Sequence, residues 1–428
     1  MRGELARSTG CTDSGVVALA TARASDILRP LPDRTITSDS HGWSPDRIEV
    51  IVSPNVFKNG VSVGIPGTGE RGLVMSAALG AIIGRWEDGL AVLDHVDQTA
   101  LEGARAMVSA GKVSVRYEEC PDPLYVRVRI SSDGASAYAV IAGDYSNFIE
   151  FGRDGLVLFS APLTPVSSVG NALEGKNLET MFDIIDIMDT EDLEFLLEAA
   201  EINRKAALAG LADPSLRLGR LYNARSADLP QPFSAMHKAQ VLTAAASEAR
   251  MAGLPVPIMA IAGSGNHGIT LTLGLLAVAE TLGSTKRQLA ISLARGTLVT
   301  IVIKSHVHRM TAFCGCAVAA STGLAAGAVY LLGGGYPESD RAMQTVMGTL
   351  AGMLCDGAKE SCAYKLSSSA PLAIQAAFAA MEGVSIPPSM GILGSTAELS
   401  FARLGELNDP GMRGTEALVM RFIGDNAR

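Results

Sequence analysis

Hydrophobic and polar positions follow two rhythms along this chain, and the change of rhythm divides it. Between residues 48 and 163 the period is two. IEVIVS at 48–53 alternates branched residues, and strands are predicted at 113–118, 124–130, 136–142, 147–151 and 155–160, with Gly, Asp and Ser between them. Helices are predicted among them from about Leu73 to Ile83 and near 97–109. After 175 the strand signal nearly disappears, and helical spacing predicts segments at 176–187, 190–209, 234–252, 268–282, 285–302, 316–331, 338–354, 370–382 and 394–404. One more helix, 12–28, opens the chain, with Thr12 or Asp13 able to cap it. The expected fold is α+β. A helix bearing Gly-Cys-Thr occupies 1–30, an α/β domain with a mixed sheet occupies 31–170, and an all-helical domain fills 171–428, with the boundary near 165–175.

Composition changes this picture in two respects. The 428 residues include 45 glycines but only 5% aromatics, so small residues replace rings in the packing and favour closely packed helices. A mean hydropathy of +0.25 raises the question of a membrane span. Residues 311–337 carry no charge and are long enough to cross a bilayer. That run is nevertheless rich in Ala, holds two cysteines and a triple glycine, and repeats small residues at Gly315, Ala319, Gly323 and Gly327. A buried helix with a smooth stripe explains it better. The net charge of −9 argues against a nucleic-acid partner, because phosphate binding needs a basic face. The start, MRGELARSTGCTD, lacks the apolar core of a signal peptide, so a cytoplasmic enzyme with reduced thiols is expected.

Chemistry concentrates where Cys314, Cys316, Cys355 and Cys362 fall close together, four of the six cysteines. Thiolates in a reducing compartment suit zinc or an iron–sulfur cluster, and neither C-x-C nor C-x6-C is a usual zinc hook. Along a helix Cys355 and Cys362 would stand about 10 Å apart. The D-G-A-K-E-S between them is therefore expected as a loop, with Gly357 permitting the turn. On a helix Cys314 and Cys316 would point to nearly opposite sides, leaving one as a ligand. Three thiolates leave a corner open for Lewis-acid catalysis. Buried free cysteines are the competing reading.

Two glycine-rich turns precede predicted helices and could seat a small carboxylate on open amides. The first lies in 54–72 and brings Lys58, Asn59, Gly67 and Thr68; the second is AGSGNHG, with Ser264, Gly265, Asn266 and Gly268. Both are expected to face the cysteines from opposite domains, against the alternative of ordinary structural turns. Cys11, at a helix start, would have its thiolate favoured by amide dipoles. Lys304, His306 and His308 stand just upstream of Cys314, either to assist a leaving group or as core or solvent-facing side chains.

In order along the chain, G-C-T-D, SPNVFKNGVSVGIPGTGERG, ASEARMAG, AGSGNHG, CGCAVAASTGLAAG and CDGAKESC resemble the L-cysteine desulfidase family. The helical half is similar to the alpha-chain domain of iron–sulfur-dependent L-serine dehydratases. The resemblance covers nearly the whole chain. It implies a [4Fe-4S] cluster in the helical domain, held by three cysteines, with an open iron that binds the substrate. It further implies elimination of sulfide from L-cysteine, or water from L-serine, giving pyruvate and ammonia without pyridoxal phosphate. Carried over by position, Cys355 and Cys362 match the last two ligands and Cys314 the first, with Cys316 as fallback. Cys11 matches the proton acceptor. The Ser264–Gly268 turn, with the 66–69 turn as a second candidate, is expected to hold the substrate carboxylate. Three departures bear on the substrate. Asp13 and Ser14 stand where the family motif has Glu and Pro, the chain begins unusually close to that motif, and Tyr145 stands where relatives tend to carry His. A non-catalytic iron–sulfur sensor would hold the same thiolates without needing carboxylate-binding turns. A homo-oligomer is compatible with all of this.

Overall fold

The chain enters through a short strand, β1 (Leu5–Thr9), that runs directly into α1 (Thr12–Leu28). The computed structural model describes residues 1–29, 43–163, 177–225, 229–307 and 310–426; the predicted boundary at 165–175 and His308 lie outside them. β1 pairs antiparallel with a strand from far along the chain, β8 (Pro257–Ile261), with Leu5 opposite Ile261 and Thr9 opposite Pro257. Neither strand was predicted, since LARST carries no alternation.

A mixed six-stranded sheet supplies the β content. It is built from β2 (Arg47–Val52), β3 (Val113–Tyr117), β4 (Tyr125–Ser132), β5 (Ala135–Ala142), β6 (Phe148–Arg153) and β7 (Leu156–Ser160) in the order β3-β2-β4-β5-β6-β7. Only the β2–β3 pair is parallel. Alternation sorts the faces as the pattern requires: in β4, Val126, Val128 and Ile130 are buried while Arg127 and Arg129 face out. On the buried face α1 packs with α3 (Gly72–Ile83) and α4 (Gln98–Ser109), which Asp97 caps by accepting from the Ala100 amide at 2.8 Å. The stretch read as a loop after 53 begins with a helix, α2 (Pro54–Gly60). Ser53 caps it and Pro54 occupies its first turn, so Lys58 and Asn59 project from a helix.

The second core is helical. It is built from α5 (Leu178–Asp186), α6 (Glu194–Ala212), the short α7 (Leu218–Asn223), α8 (Phe233–Ala252), α9 (Gly265–Leu282), α10 (Lys286–Val307), α11 (Ser321–Leu331), α12 (Tyr336–Leu350), α13 (Ser361–Met381) and α14 (Ala397–Glu406). A last helix, α15 (Arg413–Asn426), returns towards α2. A turn of π-helix, Cys316–Ala320, leads into α11. The predicted small-residue stripe is used here, with Gly323 and Gly327 set against the backbone of α10. α10 is the one described helix long and apolar enough to cross a membrane, and 83% of that window is buried within the protein. One predicted helix shifts, the one placed at 370–382, which starts at Ser361 and runs through Pro371; α15 was not foreseen.

Candidate active site

The two halves of the cysteine pattern meet through backbone pairing. Phe313 and Leu354 form an isolated antiparallel bridge, with the Cys355 amide donating to the Ala312 carbonyl at 2.8 Å and the Cys314 amide donating to Met353 at 2.6 Å. The bridge draws CGC and CDGAKESC to one place although about forty residues separate them in sequence. From Cys355 the chain loops through Gly357 (φ 97°) to Cys362 in the first turn of α13, as the spacing required. A Cβ on Gly357 would stand 2.0 Å from the Lys58 carbonyl oxygen, so only glycine lets this loop lie against α2.

All four thiols line one cavity of about 90 Å³, together with Cys11. The expectation that Cys314 and Cys316 diverge fails. Cys314 lies ahead of the helix start, off the helical spacing the argument assumed, and both reach the cavity. Cys316 donates its S–H to Cys314, which with the Lys365 ammonium and the Ala317 and Cys316 amides draws the Cys314 pKa below that of an ordinary thiol. Cys316 is pushed up correspondingly. Burial and the neighbouring Cys314 and Cys355 push Cys362 up to about 12.

From the other side comes Cys11, buried at the N-cap of α1. It is held there by the pairing of β1 with β8 and by Arg250 of α8, whose Nε donates to the Gly10 carbonyl at 3.1 Å. Its predicted acidity is not found. Burial, then the charge of Asp13, push the thiol up to about 12 and outweigh Arg250 and the helix-start amides. The Cys11 thiol instead donates to Asp13 Oδ2 at 3.6 Å. Asp13, itself buried, is raised to about 7 by desolvation, against the Cys11 hydrogen bond, Arg250, Asn59 and Lys58. A carboxyl raised towards neutrality beside a thiol has the chemistry to exchange a proton with it.

AGSGNHG forms the third wall. Gly263, Ser264, Asn266 and His267 line the cavity at the start of α9. The first amides of that helix have no intrahelical acceptor and carry the positive end of its dipole. His267 donates Nδ1–H to the Ile261 carbonyl at 3.1 Å, the only role a carbonyl leaves that nitrogen, so Nε2 is the acceptor. Burial and the nearby Lys304 hold its pKa down to about 3. Nε2 lies where a Cβ on Gly315 would meet it at 2.7 Å, beside the first cysteines. Arg250 and Lys304, both buried, add two cations to the wall, and Asn55 and Tyr145 complete it.

Some expected residues play other parts. Gly67 and Thr68 do not line the cavity. The Gly67 amide donates to the Gly253 carbonyl at 2.9 Å, and Thr68 Oγ1 donates to Ile65 and accepts from the Glu70 amide, both at 2.9 Å. Their amide-rich turn is structural. Pro66 stands where a Cβ on Gly10 would approach it to 2.6 Å, so the turn seats the Gly-Cys-Thr segment. Gly265 covers the Arg250 guanidinium and Gly268 packs on the Met259 carbonyl, so neither faces the cavity. Lys58 and Asn59 do line it, yet Lys58 Nζ pairs with Glu416 of α15 at 3.0 Å and Asn59 donates to Met310 Sδ at 3.6 Å. His306 stacks at a distance on Phe401, away from the wall. Arg250, His267, Asn55 and the pairing of Asp13 with Cys11 were missed. ASEARMAG and AGSGNHG held the first two in plain view, but a single sequence does not say which polar residues are buried together.

Among the described residues no three His, Cys, Asp or Glu side chains converge as a single metal ion requires. Four thiols around one cavity suit a multinuclear cluster better, because its ligands attach to separate irons. All six cysteines are free thiols. The donor chemistry therefore fits an iron–sulfur group.

Residues 87–421 match the family model described as serine dehydratase alpha chain. The chain is 48% identical to a UPF0597 protein of Methanocella arvoryzae over 99% of this chain and 96% of the relative. It is 38% identical to a UPF0597 protein of Oleidesulfovibrio alaskensis (98% and 95%) and 34% identical to one of Caldanaerobacter subterraneus (99% and 96%).

Proposed function

The chain belongs to the serine dehydratase alpha-chain family, and we propose that it is an iron–sulfur-dependent lyase that eliminates sulfide from L-cysteine. L-serine dehydration at the same site is the second reading, favoured by the family match itself. The observation that carries both is one cavity lined at once by a thiol–carboxyl pair, four further thiols and three buried cations. In this reading the two hydrophobic cores are two domains with the site between them, in a reducing, cytoplasmic setting.

Cys314, Cys355 and Cys362 would hold a [4Fe-4S] cluster, with Cys316 beside them; when bound, it supplies a Lewis-acidic iron for the leaving group. Arg250 and the opening amides of α9 hold the substrate carboxylate. Cys11 receives the Cα proton after passing its own to Asp13. Its raised pKa makes the thiolate a strong base once formed. As the Cα–H pair moves into the new C=C bond, the Cβ–S pair departs with sulfur as HS⁻. The product, 2-aminoacrylate, takes up water to give pyruvate and ammonia. His267, neutral at working pH, offers Nε2 as an acceptor without adding charge beside the thiols.

The test is anaerobic purification followed by iron and sulfide analysis and pyruvate assay with each amino acid. Brown protein releasing pyruvate from L-cysteine supports the lyase. Brown protein releasing pyruvate from neither substrate points to a sensor, and protein that takes up no iron on reconstitution rejects the cluster.

A further inference from the structure

An α-amino acid presents an ammonium group as well as a carboxylate, and the cavity holds a complement to it. Three oxygens on its lining residues make no hydrogen bond in the structure: Asp13 Oδ1, Asn55 Oδ1 and Asn266 Oδ1. Asp13 and Asn266 are each only 3% exposed. Leaving a buried acceptor unmatched is costly, and three such oxygens belong to residues of one small cavity. Asp13 has already given its other oxygen to the Cys11 thiol, which sets Oδ1 next to the atom that would take the Cα proton. The neighbouring cations have partners of their own: Arg250 and Lys58 both act on Asp13, but Arg250 binds back to Gly10 and Lys58 pairs with Glu416, while Lys304 stands near His267.

We infer that Asp13, Asn55 and Asn266 form the seat for the substrate α-ammonium group, so that Asn55 and Asn266 select for amino acids over other small carboxylic acids. This rests on the amino-acid lyase reading above. A tetrahedral –NH₃⁺ carries three N–H donors and one positive charge. Two amide oxygens and one carboxylate oxygen satisfy all three donors and neutralise the charge. With ammonium and carboxylate held at separate points, Cα is fixed between them and its hydrogen is directed at Cys11. A hydroxy acid or simple acid leaves the three oxygens unmatched and binds less well, the asymmetry that makes polar pockets selective.

The test is calorimetric binding of two non-reacting probes to the anaerobically purified full-length protein. L-alanine keeps the ammonium group, and propionate has the same skeleton without the nitrogen. L-alanine is expected to bind at least about tenfold more tightly, the value of one charge-assisted hydrogen bond. Asn55→Ala and Asn266→Ala should each weaken L-alanine by about tenfold and leave propionate within about twofold, which also shows that the variants fold. Equal affinity for the two probes in the unmutated protein, a measurement that needs no variant, overturns the seat. So do variants that weaken both probes alike. L-alanine binding with no turnover of L-cysteine or L-serine would sink the lyase but keep the seat. If neither probe binds to cluster-containing protein, seat and amino-acid reading fall together.

Discussion

The α/β core and the helical core meet at the same cavity but bring different chemistry to it. From the helical side come the thiols Cys314, Cys316, Cys355 and Cys362, the cations Arg250 and Lys304, and the start of α9. From the α/β side come Cys11, Asp13, Asn55, Lys58, Asn59 and Tyr145. Four of the five cavity thiols thus belong to the half whose small-residue helices pack closely. The Cys11–Asp13 pair follows the end of β1, a strand whose pairing partner lies about 250 residues away. On the proposed reading, cluster binding and proton transfer are therefore separable by mutation, and each half can be tested alone.

The largest effect is expected on the helical side. Cys355→Ala or Cys362→Ala should lose iron and colour, and with them about a thousandfold or more of activity, as removal of a several-kcal/mol Lewis acid implies. Cys314→Ala should do the same, while Cys316→Ala retains iron. The reverse result for that pair would transfer the ligand role to Cys316. On the α/β side, Asp13→Asn should keep the iron and lower kcat by about a hundredfold, in the range for removal of a positioned acid–base group. Its stability readout is independent. Asp13 holds its proton to about 7 in the folded protein, against an ordinary carboxyl value of 3.8. Its contribution to stability is complete below that ordinary value and is lost as pH rises through 7. Thermal melts should therefore show Asp13→Asn gaining on wild type at pH 8 relative to pH 4.

How much of this was legible depended on how local the cause was. Strands of the six-stranded sheet follow from alternation within each segment, and the helical core from its small, regularly spaced residues. The loop between Cys355 and Cys362 followed from arithmetic on helical rise. What escaped notice is non-local. β1 and β8 are strands only because they pair with each other. α2 was masked by the glycines after it, and α13 by Pro371, which looks like a helix start and is an interior residue. The thiol of Cys11 shows the same limit. Its place at a helix start was readable and argued for a low pKa, but burial beside a carboxylate decides the matter. The turn at 66–69 has the composition of an anion seat, yet spends its amide and hydroxyl on its neighbours.

Two smaller effects sharpen the contrast. His267 has a folded pKa of about 3 against 6.5 ordinarily, so the unfolded chain binds the extra proton first. Stability should be full above about 6.5 and fall as pH drops towards 3, and His267→Gln should flatten that acid limb in melts followed by circular dichroism. Glu416→Gln removes the partner of Lys58, whose side chain is 1% exposed while Glu416 is 27% exposed. The cost should be about 1–3 kcal/mol of stability in denaturant titration, with iron content unchanged.

As proposed, one cavity joins a cluster-binding half to a proton-transferring half. Turnover per bound iron in Cys11→Ser, measured as pyruvate and sulfide formed from L-cysteine under anaerobic conditions, tests it most directly. The account predicts wild-type iron content, equal amounts of the two products from the wild type, and a loss of about a hundredfold or more in turnover per iron in the variant. Equal turnover per iron in wild type and Cys11→Ser, or loss of iron in the variant, would contradict it.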